Sequence, residues 1–188
     1  IEFQAPENDK RAVHLCKPFA VLSKNTYSAP ITLPLGLAYL GGVLDKAGYK
    51  TKILDAIGDT KPVLIKRNVN NIYNVQGLDA EEIIERIDQN TIIFALSLMF
   101  TQEWILHREL IQKVKKALPH LIVVVGGEHP SAASEYVLRD CPAIDYVIRG
   151  EGELSFLELV HSIYNNKNPS KIAGVCFINE KNEFINNG

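Results

Sequence analysis

Short apolar runs of strand length alternate along this chain with longer segments whose apolar residues recur at helical spacing. The strand-length runs are Ala12–Cys16, Tyr49–Leu54, Thr91–Leu98, Leu121–Val125 and Asp145–Ile148. The helical patterns are Pro34–Ala47, Asp79–Gln89, Glu103–Leu118, Ala132–Arg139 and Phe156–Ile163. Such alternation is typical of parallel strands joined by helical crossovers. We therefore predict an α/β fold: a flavodoxin-like (Rossmann-like) five-stranded parallel sheet with helices on both faces.

Three segments depart from this alternation. Lys17–Leu33 carries several Pro and Asn residues and is too long for a simple connector, so we interpret it as a functional loop. Ala56–Gly77 has no clean period and is interpreted mostly as loop, with a short turn at Val63–Ile65. At the carboxyl end, Ile172–Ile178 and Glu183–Ile185 flank a polar turn. This last pattern predicts a C-terminal β-hairpin.

The composition supports one hydrophobic core and indicates no charge-driven partner. The chain has 188 residues, of which 46% are hydrophobic, and its formal net charge is −2. That charge offers no general attraction for phosphate backbones or anionic lipid, so we expect neither nucleic acid nor membrane surfaces as partners. No run approaches the roughly 18 apolar residues of a membrane span, and no leader is visible, so we expect a cytoplasmic protein. Because the first residue is Ile1 rather than Met, we also expect a fragment.

The residues that most often bind metals are scattered. Cys16, Cys141 and Cys176 lack CxxC and CxxxCxxC spacing, which argues against a disulfide framework or a self-contained metal–sulfur site. The histidines show no paired metal spacing. His129 follows a strand end and faces the expected site, but shaping the loop before Pro130 is a simpler role than metal ligation. We assign no metal ligand and no catalytic residue.

The candidate site lies at the carboxyl ends of the predicted strands, where open parallel sheets bind ligands. Four segments converge there: the loop after Cys16, Ser97–Gln102, Gly126–Ser131 and Arg149–Glu153. They are rich in glycine and hydroxyl residues, and glycine lets backbone approach a ligand closely. Simpler roles remain open for each segment, since glycine pairs form ordinary turns, hydroxyls cap helices, and acidic residues favour helix N-termini.

Several common sites are excluded by spacing. No GxGxxG follows a strand, and no GxxxxGK[ST] occurs in the chain, so dinucleotide and P-loop binding are not indicated. Cys16–Lys17 and Ser97–Leu98 stand where a receiver domain would need acidic residues. Leu22–Thr26 is only a faint version of a hydroxyl-rich flavin phosphate loop.

The order of four motifs carries a family resemblance. They are Pro34-Leu35-Gly36-Leu37-Ala38-Tyr39-Leu40; Ala47-Gly48-Tyr49 with Ile53-Leu54-Asp55-Ala56; Gly126-Gly127-Glu128-His129-Pro130-Ser131; and Tyr146-Val147-Ile148-Arg149-Gly150-Glu151-Gly152-Glu153. Together they resemble the N-terminal cobalamin-binding domain of cobalamin-dependent radical S-adenosylmethionine enzymes. That class includes the anaerobic magnesium-protoporphyrin IX monomethyl ester cyclase and many methyltransferases.

The resemblance implies cobalamin bound at the carboxyl ends of the strands. Ser97 and Thr101 match hydroxyl positions near the nucleotide tail, and Gly126-Gly127 matches the glycine pair that lets the tail pass. The DxHxxG motif is absent after the first strand, so no histidine from that loop is expected on cobalt. The implied cofactor-binding residues are Pro34, Leu35, Gly36, Ser97, Thr101, Gly126, Gly127, Glu128, His129, Gly150, Glu151 and Gly152.

The resemblance also implies a domain plan. Residues 1–170 would form the cobalamin-binding domain, and residues 171–188 the hairpin and the start of a linker to a C-terminal radical S-adenosylmethionine domain. That domain would bring S-adenosylmethionine and a 4Fe-4S cluster, because this chain has no CxxxCxxC motif. The expected function is therefore a cobalamin-binding module for methyl transfer or cyclase-type radical chemistry. The alternatives are an interaction or structural domain that has lost cobalamin binding and, less favoured, an independent enzyme acting on a nucleotide or flavin.

Overall fold

The computed structural model describes residues 3–25, 32–60, 66–69 and 73–188. Its strands are β1 (Ala12–Lys17), β2 (Ala20–Ser23), β3 (Lys50–Asp55), β4 (Lys66–Val69), β5 (Tyr73–Gln76), β6 (Thr91–Ser97), β7 (Ile122–Gly126), β8 (Tyr146–Ile148), β9 (Val175–Ile178) and β10 (Phe184–Asn186). Its helices are α1 (Leu35–Lys46), α2 (Ala80–Glu85), α3 (Trp104–Ala117), α4 (Glu128–Ala132), α5 (Ser134–Asp140) and α6 (Gly152–Tyr164). A 3₁₀ turn at Thr101–Glu103 precedes α3.

The parallel part of the main sheet confirms the prediction from the sequence. Its strands lie in the order β3-β1-β6-β7-β8, and each neighbouring pair is parallel. This is the flavodoxin-like strand order, in which the direction of winding reverses between β1 and β6. The predicted C-terminal hairpin is also present, because β9 pairs with β8 in the antiparallel sense and with β10 beyond it. The hairpin therefore extends the main sheet at its β8 edge.

Helices cover both faces of this sheet because its central strands are apolar on both sides. Successive residues of β7 illustrate the alternation: Val123 and Val125 belong to one hydrophobic cluster, and Val124 belongs to the other. Side chains from α2, α3 and α5 complete the first cluster. Those from α1 and α6 complete the second, so α1 and α6 lie together on one face of the sheet.

A small second sheet corrects the loop prediction for two segments. Strand β5 pairs with β2 and with β4, in both cases antiparallel. The long loop predicted after the first strand and the irregular stretch before α2 thus contribute strands to one three-stranded sheet. The prediction failed because these strands have four residues each, and because β5 pairs not only with its neighbour β4 but also with β2, which is distant in sequence. The turn predicted at Val63–Ile65 lies outside the described residues.

Two helices also differ from the prediction. Helix α2 begins at its predicted capping box of Asp79 and Glu82, but it ends at Glu85 rather than near Gln89. The chain turns there to enter β6, and Thr91 N–H donates to the Asp88 carbonyl at 3.0 Å. Helix α4 was not predicted, because a helix of five residues that contains Pro130 has too little periodicity to detect.

Within the described ranges, no helix is both long and apolar enough to cross a bilayer.

Candidate functional site

A cleft of about 160 Å³ opens at the carboxyl edge of the main sheet, between α1 and α6. The ends of β6, β7 and β8 form its base, and both helices present their first turns to it. The lining residues are Gly36, Leu37, Leu40, Ala95, Leu96, Ser97, Val124, Gly126, Gly127, Ile148, Gly150, Glu151, Gly152, Glu153 and Phe156. The cleft lies beside the point where the winding direction reverses, which is where such sheets bind ligands.

The pleat of the strands gives the cleft an apolar floor and a rim of small and polar residues. Ala95 and Val124 are register partners on the face that carries α1 and α6. Two residues further along each strand and on the same face, Ser97 and Gly126 are register partners at the edge. Leu37 and Phe156 close the floor from α1 and α6, and both are buried. These floor residues were not predicted from the sequence. The signal that could have indicated them is Ala95, a small residue within a run of large apolar ones.

The two glycines at the end of β7 have different physical roles. Gly127 has φ +103° and ψ −175°, a conformation open essentially only to glycine. A Cβ there would stand 2.5 Å from the Leu98 carbonyl oxygen, so Gly127 is required by the protein itself. A Cβ on Gly126 would meet only ordinary contacts, the nearest at 3.5 Å to the Ile148 carbonyl oxygen. The packing of the protein therefore does not explain why residue 126 lacks a side chain.

The glycines of the Arg149–Glu153 segment shape the other side of the cleft. Gly150 has φ +67° and lies at the turn between β8 and α6. Gly152, the first residue of α6, brings the helix against the sheet, since a Cβ there would be 3.3 Å from Ile148 Cγ2. The Gly150 N–H donates to the Ser131 hydroxyl at 3.1 Å, which connects this turn to the loop after β7. Glu151 and Glu153 line the opening beside these glycines.

Three of the five expected site residues that do not line the cleft lie beyond the ends of β6 and β7. Thr101 and Glu128 are exposed, whereas His129 is 4% exposed and packs against Trp104 with ring centroids 5.3 Å apart. The Thr101 hydroxyl hydrogen-bonds to His129 Nδ1 at 3.1 Å. Burial lowers the pKa of His129 below its ordinary value, which favours a neutral ring. Trp104 belongs to the hydrophobic cluster opposite the cleft, so this group lies behind the strand ends rather than in front of them.

Pro34 and Leu35 stand at the opening of the cleft rather than in its lining. Pro34 is the residue that precedes the first turn of α1, and Leu35 is 63% exposed. Other large apolar residues near the same sheet edge are also exposed: Leu33, Tyr39, Met99, Phe100 and Leu154. Seven of the twelve expected residues thus come together in the lining: Gly36, Ser97, Gly126, Gly127, Gly150, Glu151 and Gly152.

An ion pair fixes the strand ends next to the cleft. Lys17, at the end of β1, has its Nζ 3.4 Å from Asp55 Oδ2 at the end of β3. The same Nζ donates to the Thr32 carbonyl at 2.5 Å, just before α1. Lys17 therefore ties three segments that border the site. Among the residues that the structure describes, no group of three His, Cys, Asp or Glu side chains is arranged to hold a metal ion.

Solved structures of two radical S-adenosylmethionine enzymes share this fold. The radical enzyme OxsB, solved with aqua-cobalamin and S-adenosylmethionine bound, superposes with a TM-score of 0.71 at 21% identity, over 94% of this chain and 22% of that one. The radical methyltransferase TsrM from Kitasatospora setae, solved with cobalamin and a [4Fe-4S] cluster, gives a TM-score of 0.66 at 19% identity, over 92% of this chain and 28% of that one.

Similar sequences occur in several larger proteins. An uncharacterized methyltransferase of Pyrococcus horikoshii is 28% identical over 77% of this chain and 28% of its own length. Cytidylyl-2-hydroxyethylphosphonate methyltransferase of Streptomyces wedmorensis is 26% identical over 88% of this chain and 31% of its own length. The anaerobic magnesium-protoporphyrin IX monomethyl ester cyclase of Synechocystis sp. is 29% identical over 77% and 26%. The chain thus spans less than a third of these relatives.

The match to a protein-family model covers most of the chain. Residues 26–160 match the model of the B12 binding domain. That range includes α1, every strand end that borders the cleft, and the first turns of α6. The chain therefore belongs to the B12-binding domain family.

Proposed function

We propose that this chain holds cobalamin with the nucleotide arm of the cofactor inserted in the cleft between α1 and α6. The observation that carries the proposal is an apolar cleft at the sheet edge whose opening is kept clear by a glycine that the protein's own packing does not require. A protein cavity of about 150 Å³ lined by Leu, Ile and Phe stays dry and admits an aromatic ring. The cleft has similar size and chemistry, which suits the flat base of the arm.

The residues present fit the remainder of the cofactor as well. Ser97, Glu151 and Glu153 place a hydroxyl and two carboxylates at the rim, where they can hydrogen-bond to amide and hydroxyl groups. The exposed apolar residues around the opening offer a surface for a large macrocycle. We assign direct contact to the seven expected residues in the lining. Contact through Pro34, Leu35, Thr101, Glu128 and His129 stays a prediction.

In this proposal the protein contributes position and environment. Bound cobalamin supplies the cobalt-centred chemistry, and the chain orients it by fixing the arm. No DxHxxG motif follows β1, so no histidine ligand is assigned from that loop. Neither the fold nor the comparisons support the alternative of a domain that has lost cobalamin binding.

The whole protein's reaction is a further proposal. The relatives are methyltransferases and cyclases, and the structural neighbours bind a [4Fe-4S] cluster or S-adenosylmethionine together with cobalamin. We propose that this chain works beside a C-terminal radical S-adenosylmethionine domain that holds these two cofactors. Methyl transfer and cyclase-type radical chemistry are both consistent with the relatives. The domain boundary at residue 170 and the cytoplasmic location stay predictions.

The direct test is retention of corrinoid by the 188-residue chain. The chain is mixed with hydroxocobalamin and passed through gel filtration, and the visible spectrum of the protein peak is recorded. We expect corrinoid absorbance to elute with the protein. In Gly126→Val, the branched side chain projects from the rim into the cleft, so we expect absorbance to be largely lost. Absence of corrinoid from the unaltered chain would contradict the proposal.

Helix α1 offers a matched pair of variants. A Cβ on Gly36 or on Gly42 would meet nothing within 4 Å, and either Gly→Leu change should favour the helix by about 0.5–1 kcal/mol. Of these two glycines, Gly36 lines the cleft and Gly42 does not. We therefore expect Gly36→Leu to weaken cobalamin binding although it does not destabilise the fold, and Gly42→Leu to bind like the unaltered chain. Equal binding by the two variants would show that the arm does not enter between α1 and α6.

A further inference from the structure

The floor of the cleft offers no polar side chain. It consists of Leu37, Leu40, Ala95, Val124, Ile148 and Phe156. The main chain at this depth is also occupied, since β6 pairs with β1 and β7, and β7 pairs with β8. Backbone N–H and C=O groups in a central strand are consumed by the ladder and cannot bind a ligand. A group that reaches the floor therefore finds only apolar contacts.

The polar groups all belong to the rim. Ser97 lies two residues beyond Ala95, which places it about 7 Å nearer the sheet edge at the usual rise of a strand. Glu151 and Glu153 stand at the turn into α6, at the same edge. The cleft is thus divided by depth, with a hydroxyl and two carboxylates for the hydroxyl groups of an arm at the opening and an apolar slot for its base.

This division predicts how different bases would bind. The dimethylbenzimidazole of cobalamin places two methyl groups on its leading edge, and these gain from transfer to an apolar floor. An adenine in the same slot would bury an exocyclic amine and ring nitrogens without partners. Stripping such groups of water without a replacement hydrogen bond weakens binding by roughly ten- to a hundredfold.

Resting on the proposed function, we infer that the cleft selects corrinoids by the base of their nucleotide arm. It accepts an apolar benzimidazole and disfavours a purine. The floor residues, rather than the glycines of the rim, determine this preference.

The test compares three corrinoids on the unaltered 188-residue chain: cobalamin, the analogue with adenine as its base, and cobinamide, which lacks the nucleotide arm. They are compared in their dicyano forms, so that the base is detached from cobalt in each, and Kd is measured by titration calorimetry. We expect cobalamin to bind roughly ten- to a hundredfold more tightly than the adenine analogue. We also expect cobinamide to bind more weakly than cobalamin.

The three results separate the two proposals. If none of the corrinoids binds, the proposed function fails. If cobinamide binds as tightly as cobalamin, the arm does not occupy the cleft. If cobinamide is weak while cobalamin and the adenine analogue bind equally, arm binding stands and base selection is overturned.

A pair of valines on β7 provides the matched control. Val124→Thr adds a hydroxyl to the cleft floor, whereas Val123→Thr adds one to the core on the opposite face. Both residues are at most 1% exposed, so the cost of burying the hydroxyl is similar. We expect Val124→Thr to reduce the ratio of the Kd of the adenine analogue to the Kd of cobalamin, and Val123→Thr to leave this ratio unchanged. An unchanged ratio of the two Kd values in Val124→Thr would overturn the inference that the floor residues select the base.

If the threonine variants fail to fold, Ala95→Ser makes the same test at a smaller site. Ala95 is the register partner of Val124 and is 6% exposed. The added hydroxyl should again reduce the difference in Kd between cobalamin and the adenine analogue. An unchanged ratio of the two Kd values in Ala95→Ser would contradict the inference.

Discussion

Replacing each glycine of the Gly126-Gly127 pair by alanine should have very different effects on stability. Gly127→Ala forces an L residue into a glycine-only conformation, at a cost of roughly 1–3 kcal/mol. The added Cβ would also stand 2.5 Å from the Leu98 carbonyl oxygen. That oxygen belongs to main chain, and Leu98 N–H donates to the Gly126 carbonyl at 2.8 Å, so it cannot move freely. Relieving such overpacking costs roughly another 1–3 kcal/mol.

The total for Gly127→Ala is therefore roughly 2–6 kcal/mol, a large part of the about 5–15 kcal/mol that stabilises a typical domain. For a chain of this size it corresponds to a fall in Tm of roughly 4–24 °C. Gly126→Ala adds only an ordinary 3.5 Å contact with the Ile148 carbonyl, and we expect a change below about 1 kcal/mol. Urea denaturation followed by circular dichroism measures both. Equal losses in the two variants would refute the distinction between a backbone role for Gly127 and a ligand role for Gly126.

Other predictions concern two hydrogen bonds that join the segment around β2 to α3 and the 3₁₀ turn before it, and the capping box of α2. Glu103 accepts a hydrogen bond from Val21 N–H at 2.9 Å, and burial raises the pKa of its carboxyl group. The folded chain therefore favours the protonated carboxyl, so Glu103 contributes most to stability at low pH, and this contribution is lost as pH rises through the raised pKa. Glu103→Gln keeps an acceptor and should match or exceed the unaltered chain in urea midpoint at pH 7, whereas Glu103→Leu should lose about 1–3 kcal/mol. Burial lowers the pKa of His107, which hydrogen-bonds to the Phe19 carbonyl, to about 4. The free energy of unfolding should therefore fall by up to about 3 kcal/mol as pH drops from 6.5 to 4. His107→Gln should remove this pH dependence, and the same pH profile of stability in His107→Gln as in the unaltered chain would contradict the prediction. Asp79→Ala removes the capping box of α2 and should lower the free energy of unfolding by about 1 kcal/mol, measured by thermal denaturation. An unchanged free energy of unfolding in Asp79→Ala would show that the capping box does not stabilise the fold.

The position of the candidate cleft and the residues of its rim followed from the sequence, but its apolar floor did not. Ser97, Gly126 and Gly150 were recognisable because each follows an apolar run and parallel strands end at one edge. Thr101 and His129 satisfy the same criterion, yet they meet each other behind the sheet. They lie beyond the last residue of a strand, where the alternation of faces no longer applies.

The hydrophobic pattern alone determined the five parallel strands of the main sheet, because a strand such as β7 is buried on both faces and ends abruptly in glycine. It also determined α1 and the capping box of α2, which depend on contacts within a few residues. The small sheet was decided only by tertiary structure, since β2 and β5 are short and their paired residues are 50 to 56 positions apart in sequence. The different roles of Gly126 and Gly127 were also decided there. Two adjacent glycines are alike as sequence, and only the position of the Leu98 carbonyl makes one of them a requirement of the fold.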